Sequence, residues 1–126
     1  APIRTMLDEG LWVTLGSDIA GGDVLSMLGV ITEAIKSSKI KRIESNWTKD
    51  FLSVAEAFYL GTTAGAKYFG GGDGFAIGDK FHAVVIKDSD AIDVKQLSIR
   101  ERFERAIYRT KEQDIIAVYS DGRRVK

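Results

Sequence analysis

Hydrophobic positions in the first third of the chain follow helical and strand spacings in turn. Residues 3–9 carry apolar side chains on one helical face and end at Gly10, which predicts a short helix. Residues 11–15 form a nearly continuous apolar run, which predicts a strand buried on both faces of a parallel sheet. Residues 16–23 indicate a loop, and the apolar residues of 24–35 recur at the spacing of a long helix. The order helix, strand, loop, helix is typical of an α/β fold.

Two Ser-x-x-Glu sequences predict where two later helices begin. Ser53 with Glu56, and Ser98 with Glu101, have the spacing of a capping box, in which each side chain accepts a backbone N–H from the other residue. Residues 40–50 are polar and charged, so the long helix is expected to end before a surface connection. The expected inward side of the last helix consists of Ile99, Phe103, Ala106 and Ile107.

The chain changes character at a glycine-rich stretch, residues 70–74, which follows a short helix expected over residues 64–69. Beyond it, residues 83–86 and 115–119 are apolar runs that predict strands. Asp121-Gly122 is typical of a type I′ hairpin turn. The tail therefore predicts antiparallel β structure with one helix.

Composition narrows the classes of function. The 126 residues include 18 Lys+Arg and 18 Asp+Glu, so the net charge is zero, and neither a nucleic acid nor a membrane is an expected partner. The absence of cysteine rules out disulfides and thiolate ligands and agrees with a cytoplasmic location. The chain begins at Ala1, within what resembles the start of a helix, so we expect a piece of a longer protein.

Asp18 is the strongest candidate for a chemical role. It follows the predicted strand, and barrel enzymes carry their functional groups on the loops at that end of their strands. A carboxylate there can bind a metal or accept a proton from water. Small residues around it would let the backbone approach a ligand closely. The spacing leaves a second interpretation open, in which Asp18 only caps a turn or the following helix.

The sequence around Asp18 resembles guanine deaminases of the amidohydrolase superfamily. Residues 15–22 are Leu-Gly-Ser-Asp-Ile-Ala-Gly-Gly and residues 26–28 are Ser-Met-Leu. The family pattern is Gly-(Thr/Ser)-Asp-(Val/Ile)-Ala-Gly-Gly followed by Ser-Met-Leu, and similarity is weakest over residues 36–50. Further similar segments are residues 56–67, 77–86 and 103–125.

The resemblance implies a fold and a division into domains. Residues 1–70 would be the end of a (β/α)8 TIM-type barrel, comprising the last strand, the metal-ligand loop and helices. Residues 71–126 would be the C-terminal part of a small β-sandwich domain, with its strands and one helix. The missing N-terminal part of the barrel is the implied partner, and a homodimer is the expected assembly.

The resemblance also implies a zinc-dependent reaction on a small purine. In this family one zinc ion is held by four histidines and the aspartate that Asp18 matches. Asp18 would then be a zinc ligand and a catalytic proton acceptor in the conversion of guanine and water to xanthine and ammonia. The other ligands lie upstream in the family, so the isolated chain is expected to be inactive. Two alternatives remain open: another amidohydrolase, such as a chlorohydrolase or cytosine deaminase, or a non-catalytic structural fragment.

Other conspicuous residues are assigned structural roles. His82, the only histidine, is expected to be a structural or surface residue rather than a metal ligand. Trp12 and Met27 are expected in the core. The glycine run near Asp73 lacks the Lys-Ser/Thr of a phosphate loop and is expected to be a linker.

Overall fold

The computed structural model describes residues 1–72, 74–88 and 96–126. The chain divides into two units, Ala1–Gly70 and Gly71–Lys126, and the boundary falls in the glycine run. Asp73, which belongs to that run, lies outside the described residues. The assignment of the two units to a barrel end and a small β domain stays a prediction.

Unit 1 has four helices: α1 (Ile3–Asp8), α2 (Met27–Glu44), α3 (Val54–Gly61) and α4 (Thr63–Tyr68). All four were expected, but the bounds of α2 differ from the prediction. It begins three residues later than Val24 and continues through residues 40–44, which were expected to be a connection. Polar residues extend a helix readily on its solvent side, and here they include the ion pair between Lys41 and Glu44.

The core of unit 1 lies where α2 packs against α3. Ile31, Ile35 and Leu52 are its largest fully buried side chains. The predicted capping box begins α3: the Ser53 hydroxyl accepts the Glu56 backbone N–H at 3.2 Å, and the Glu56 carboxylate accepts the Ser53 backbone N–H at 2.8 Å. This pair of bonds satisfies two backbone N–H groups that would otherwise have no partner at the start of α3. Alanine and leucine side chains complete the core: Ala34, Ala57, Leu60 and Ala64.

The strand predicted over residues 11–15 is wrong for this chain. These residues pair with no strand in the described part of the chain and lie instead against the α3–α4 junction. The Leu15 backbone N–H donates to the Leu60 carbonyl at 2.9 Å, and the Trp12 Nε1–H donates to the Ala64 carbonyl at 3.2 Å. Only Val13 is buried, whereas Trp12 is 61% exposed rather than in the core. A parallel strand exists only through hydrogen bonds to neighbouring strands, so an apolar run without them is not a strand.

Unit 2 contains β1 (Ala83–Ile86), α5 (Ile99–Arg109), a 3₁₀ turn (Glu112–Asp114), β2 (Ile115–Ser120) and β3 (Arg123–Arg124). The three strands form an antiparallel sheet in the order β1-β2-β3. The predicted turn between β2 and β3 is confirmed, because Asp121 and Gly122 have φ angles of 52° and 77°, as a type I′ turn requires.

Helix α5 begins with the second predicted capping box, in which the Ser98 hydroxyl accepts the Glu101 backbone N–H at 3.3 Å. Ile107 is buried, as expected, whereas Ile99, the first residue of the helix, is 83% exposed. Ile99 borders the same cleft as Phe103 and Ala106, so it lies on the predicted side of α5 but is not covered. Within the described residues, no helix is both long and apolar enough to span a membrane.

Candidate functional site

Asp18 lies in the loop that leads from residue 15 to α2, and its backbone forms a tight turn. Its φ angle is 43°, in the left-handed region that Asp tolerates better than most residues. The Asp18 carbonyl oxygen accepts the backbone N–H of Gly21 at 2.7 Å and also that of Gly22. The turn is therefore closed by backbone groups.

The carboxylate of Asp18 is exposed and has no hydrogen-bond or ion-pair partner in the described part of the chain. The N-cap residue of α2 is Ser26, so Asp18 does not cap that helix. Its side chain does not cap the turn either, since the backbone carbonyl makes those bonds. Among the described residues the Asp18 side chain thus caps neither the turn nor α2, and its carboxylate is available to a ligand.

Gly21 and Gly22 lie unusually close to other atoms of this loop. A Cβ atom built on Gly21 would lie 2.7 Å from Asp18 Oδ2, and one built on Gly22 would overlap the Ser17 carbonyl oxygen. The sequence suggested that small residues here let the backbone approach a ligand. In the structure Gly22 lets the loop close on itself, Gly21 leaves room for the Asp18 carboxylate, and only the Gly-Gly sequence three residues after the aspartate signals this.

His82 lies immediately before β1 and is exposed, and it belongs to no metal-binding group among the described residues. Its Nδ1 accepts the Asp121 backbone N–H at 3.3 Å, so it supports the hairpin turn, in agreement with a structural or surface role. Among the described residues no three His, Cys, Asp or Glu side chains are grouped closely enough to hold a metal ion. Asp18 can therefore supply one ligand of a site, and its described neighbours supply no others.

Asp18 lines neither of two cavities that the described part of the chain forms, one in each unit. In unit 1 a cavity of about 230 Å³ lies between the first residues and α2, next to Arg4 and Arg42. In unit 2 a more open cleft of about 580 Å³ lies between β1 and α5. Asp88, at its edge, accepts hydrogen bonds from Arg102 and Arg105, both at 2.8 Å, and these bonds lower the pKa of Asp88.

The ion pair between Arg4 and Glu56 ties α1 to α3. Arg4 Nη2 donates to Glu56 Oε1 at 2.8 Å, while Glu56 Oε2 completes the capping box with Ser53. Burial raises the pKa of Glu56, but the hydrogen bonds from Ser53 and Arg4 together outweigh burial, so its pKa lies below the ordinary value. Glu56 is therefore a structural carboxylate, fully engaged within unit 1, in contrast to Asp18.

Known proteins resemble this chain over almost its whole length. The guanine deaminase of Dictyostelium discoideum is 30% identical over 98% of the chain, and a probable guanine deaminase of Schizosaccharomyces pombe is 28% identical over 99%. The crystal structure of guanine deaminase from C. acetobutylicum with bound guanine in the active site matches 99% of the chain, with a TM-score of 0.91 and 40% sequence identity.

The chain spans only part of each relative: 29% and 25% of the two curated proteins and 30% of the crystallised chain. The sequence pattern of the amidohydrolase family itself matches residues 1–125. This match covers all but the last residue. Together with the structural match it implies a TIM-barrel fold, of which this mixed α/β chain is a part. The predicted resemblance to a guanine deaminase-like amidohydrolase fragment is confirmed, and the chain belongs to the amidohydrolase family.

Proposed function

We propose that this chain is the C-terminal part of a guanine deaminase-like aminohydrolase, in which residues 1–70 complete a TIM-type barrel and residues 71–126 belong to a small β domain. The structural match at 40% identity over 99% of the chain is the observation that carries this proposal, because the matched enzyme holds guanine in its active site. The complete protein would convert guanine and water to xanthine and ammonia. A cytoplasmic location and a homodimer stay predictions.

The proposed role of Asp18 is to bind one zinc ion and to accept a proton. Its carboxylate is exposed and unpaired in the described structure. This is expected of a metal ligand when the other ligands lie in another part of the protein. Carboxylate oxygen is an ordinary zinc ligand, so Asp18 fits one ligand position. The described residues do not complete the set, so the remaining ligands belong to the rest of the protein.

Asp18 also suits the proton transfer that this hydrolysis requires. A bound zinc ion would lower the pKa of water enough to make it nucleophilic at neutral pH. In the reaction, water adds to the purine carbon that bears the amino group, the amino group gains a proton, the C–N bond breaks, and ammonia leaves. A carboxylate beside the attacking water takes the proton that this water loses. Asp18 is free to do so because no hydrogen bond from the described residues occupies its carboxylate oxygens.

The proposal is tested by Asp18→Asn in a complete protein that carries this chain as its C-terminal part. The amide keeps the shape of the side chain but binds zinc weakly and accepts no proton, so ammonia release from guanine should fall by about 100- to 10,000-fold. Circular dichroism should remain unchanged, because the Asp18 side chain makes no bond to the part of the chain that the structure describes.

The matched control is Asp23→Asn, which alters another exposed carboxylate of the same loop. It should retain zinc and activity. Near-normal turnover of guanine by the Asp18→Asn protein would refute the proposal. Measuring cytosine beside guanine as a substrate identifies a related aminohydrolase if guanine is not the preferred compound.

A further inference from the structure

We infer that Gly21 is a positioning residue for the Asp18 carboxylate, an inference that rests on the proposed role of Asp18 as a metal ligand. Residue 21 has to be glycine because a side chain there would occupy the space that the carboxylate itself fills. The backbone conformation at residue 21 does not itself require glycine, since Gly21 is not among the residues with a positive φ angle. The requirement is therefore steric, and it concerns one side chain.

The turn at Asp18 brings residue 21 over the Asp18 side chain. Because the Asp18 carbonyl accepts the N–H groups of both Gly21 and Gly22, the chain folds back within four residues. A methyl group on residue 21 would lie 2.7 Å from Oδ2, 3.4 Å from Cγ and 3.7 Å from Oδ1 of Asp18. The carboxylate is thus the nearest group that the methyl would meet.

The clash at Gly21 differs in kind from the clash at Gly22. A Cβ at Gly22 would overlap the Ser17 carbonyl, which is backbone and moves only with the loop. At Gly21 the nearest atoms are the far end of a flexible side chain, so the carboxylate moves and the loop stays. Replacing Gly21 should therefore change the position of the Asp18 carboxylate at little cost in folding free energy.

This displacement is large enough to affect a metal ligand. Real Cβ contacts are essentially never shorter than 3.0 Å, so an alanine at 21 would move Oδ2 by at least a few tenths of an ångström. Metal–ligand distances are held to within about 0.2 Å. Loss of the groups that orient a ligand typically weakens metal binding by about 10- to 100-fold.

The experiment compares Gly21→Ala with Gly16→Ala in the complete zinc-containing protein. Gly16 lies in the same loop and has no positive φ angle, and a methyl group there would meet nothing within 4 Å, so it is a matched control. The zinc dissociation constant is measured by competition with a chelator, and the visible spectrum of the Co²⁺-substituted protein reports ligand geometry. Thermal unfolding of the metal-free protein reports folding.

For Gly21→Ala we expect zinc binding about 10- to 100-fold weaker, a changed Co²⁺ spectrum, and a lower kcat with little change in KM. The midpoint temperature of thermal unfolding of the metal-free Gly21→Ala protein should match that of the parent protein. Gly16→Ala should resemble the parent protein in all four measurements. In an Asp18→Asn background, Gly21→Ala should weaken zinc binding no further, since it acts through the Asp18 carboxylate.

Three outcomes would overturn the inference. If Gly21→Ala binds zinc as Gly16→Ala does while Asp18→Asn loses it, Gly21 does not position the ligand, and the proposed function stands. If Asp18→Asn itself keeps zinc and activity, the proposed function and the inference fall together. The third outcome is that Gly21→Ala lowers the unfolding temperature of the metal-free protein, or still weakens zinc binding in the Asp18→Asn background. The substitution would then act by changing the fold of the loop and not by moving the Asp18 carboxylate.

Discussion

At the scale of single residues, some glycines lie where a side chain would overlap its neighbours. A Cβ atom on Gly61, the last residue of α3, would lie 2.6 Å from Cγ1 of Ile31. Ile31, in α2, is fully buried, so a methyl group at residue 61 would have to displace a core side chain. The absence of a side chain at residue 61 thus sets how closely these two helices approach.

We therefore predict that Gly61→Ala destabilises unit 1 by about 1–3 kcal/mol, the usual cost of overpacking a core. Gly65→Ala in α4 is the control, because a methyl group there would meet nothing within 4 Å. That change should be neutral or stabilise the helix by about 0.5–1 kcal/mol. The free energies of unfolding come from denaturant titrations. Equal stabilities of the two variants would contradict the close packing of α3 on α2.

Asp18 shows what the residue scale adds to a sequence pattern. Its position after an apolar run allowed either a ligand or a capping side chain. The structure bears on capping alone, because the backbone carbonyl makes the turn bonds and the carboxylate has no partner in the described residues; the ligand role stays a proposal. The sequence shows that Asp18 can accept hydrogen bonds in a turn, but not whether its side-chain oxygen or its backbone carbonyl oxygen accepts them.

At the scale of elements, the features set by neighbouring residues were predicted well. Both capping boxes and the type I′ turn are present where the sequence placed them, since each is made by residues within four positions of one another. The strand over residues 11–15 was wrong because strand pairing is a long-range interaction. The bounds of α2 were missed because its exposed polar residues resemble those of a connection.

The first capping box gives a pH dependence that can be measured. The pKa of Glu56 is lowered below its ordinary value of 4.5, so its contribution to stability is complete above that value. The contribution is lost as the pH falls through the lower pKa of the folded state, where Glu56 takes up a proton. We predict that, in the Glu56→Gln protein, the free energy of unfolding of unit 1 decreases less as the pH falls than it does in the parent protein.

The loss of stability at pH 7 should be on the order of 1 kcal/mol or less, because the Glu56 side chain is 42% exposed and water screens its charge. Glu33→Gln, which breaks an exposed pair with Lys36, is the control and should leave the acid transition unchanged. Denaturant titrations between about pH 3 and pH 7, a range that includes the ordinary pKa of Glu, give the free energies of unfolding of the two variants for comparison. An identical pH dependence in both variants would argue against the Glu56 network.

At the scale of the whole molecule, many large apolar side chains of this chain are exposed to solvent. Leu25 is 71% exposed and Phe69 is 86% exposed, in addition to Trp12 within the run predicted as a strand. Exposed apolar surface of this kind is typical of residues that another part of a protein covers. It agrees with a chain that spans 25–30% of the relatives it matches.

For the isolated 126-residue chain we predict neither stoichiometric zinc nor release of ammonia from guanine. One carboxylate supplies one of the four or more ligands that zinc requires, and the described residues offer no cluster that completes the set. Metal analysis after dialysis and an ammonia assay test this directly. One tightly bound zinc ion per chain would show that ligands other than Asp18 are present.

The sequence by itself determined the helices with local start signals, the hairpin turn, the family and the position of the candidate ligand. These depend on residues close together in the chain or on a contiguous pattern such as Gly-Ser-Asp-Ile-Ala-Gly-Gly. Only the tertiary structure decided that residues 11–15 pair with no described strand, that the Asp18 carboxylate has no partner among the described residues, and that Gly21 leaves room for it. Each of these is a distance between atoms, and a spacing along the chain does not specify which atoms meet.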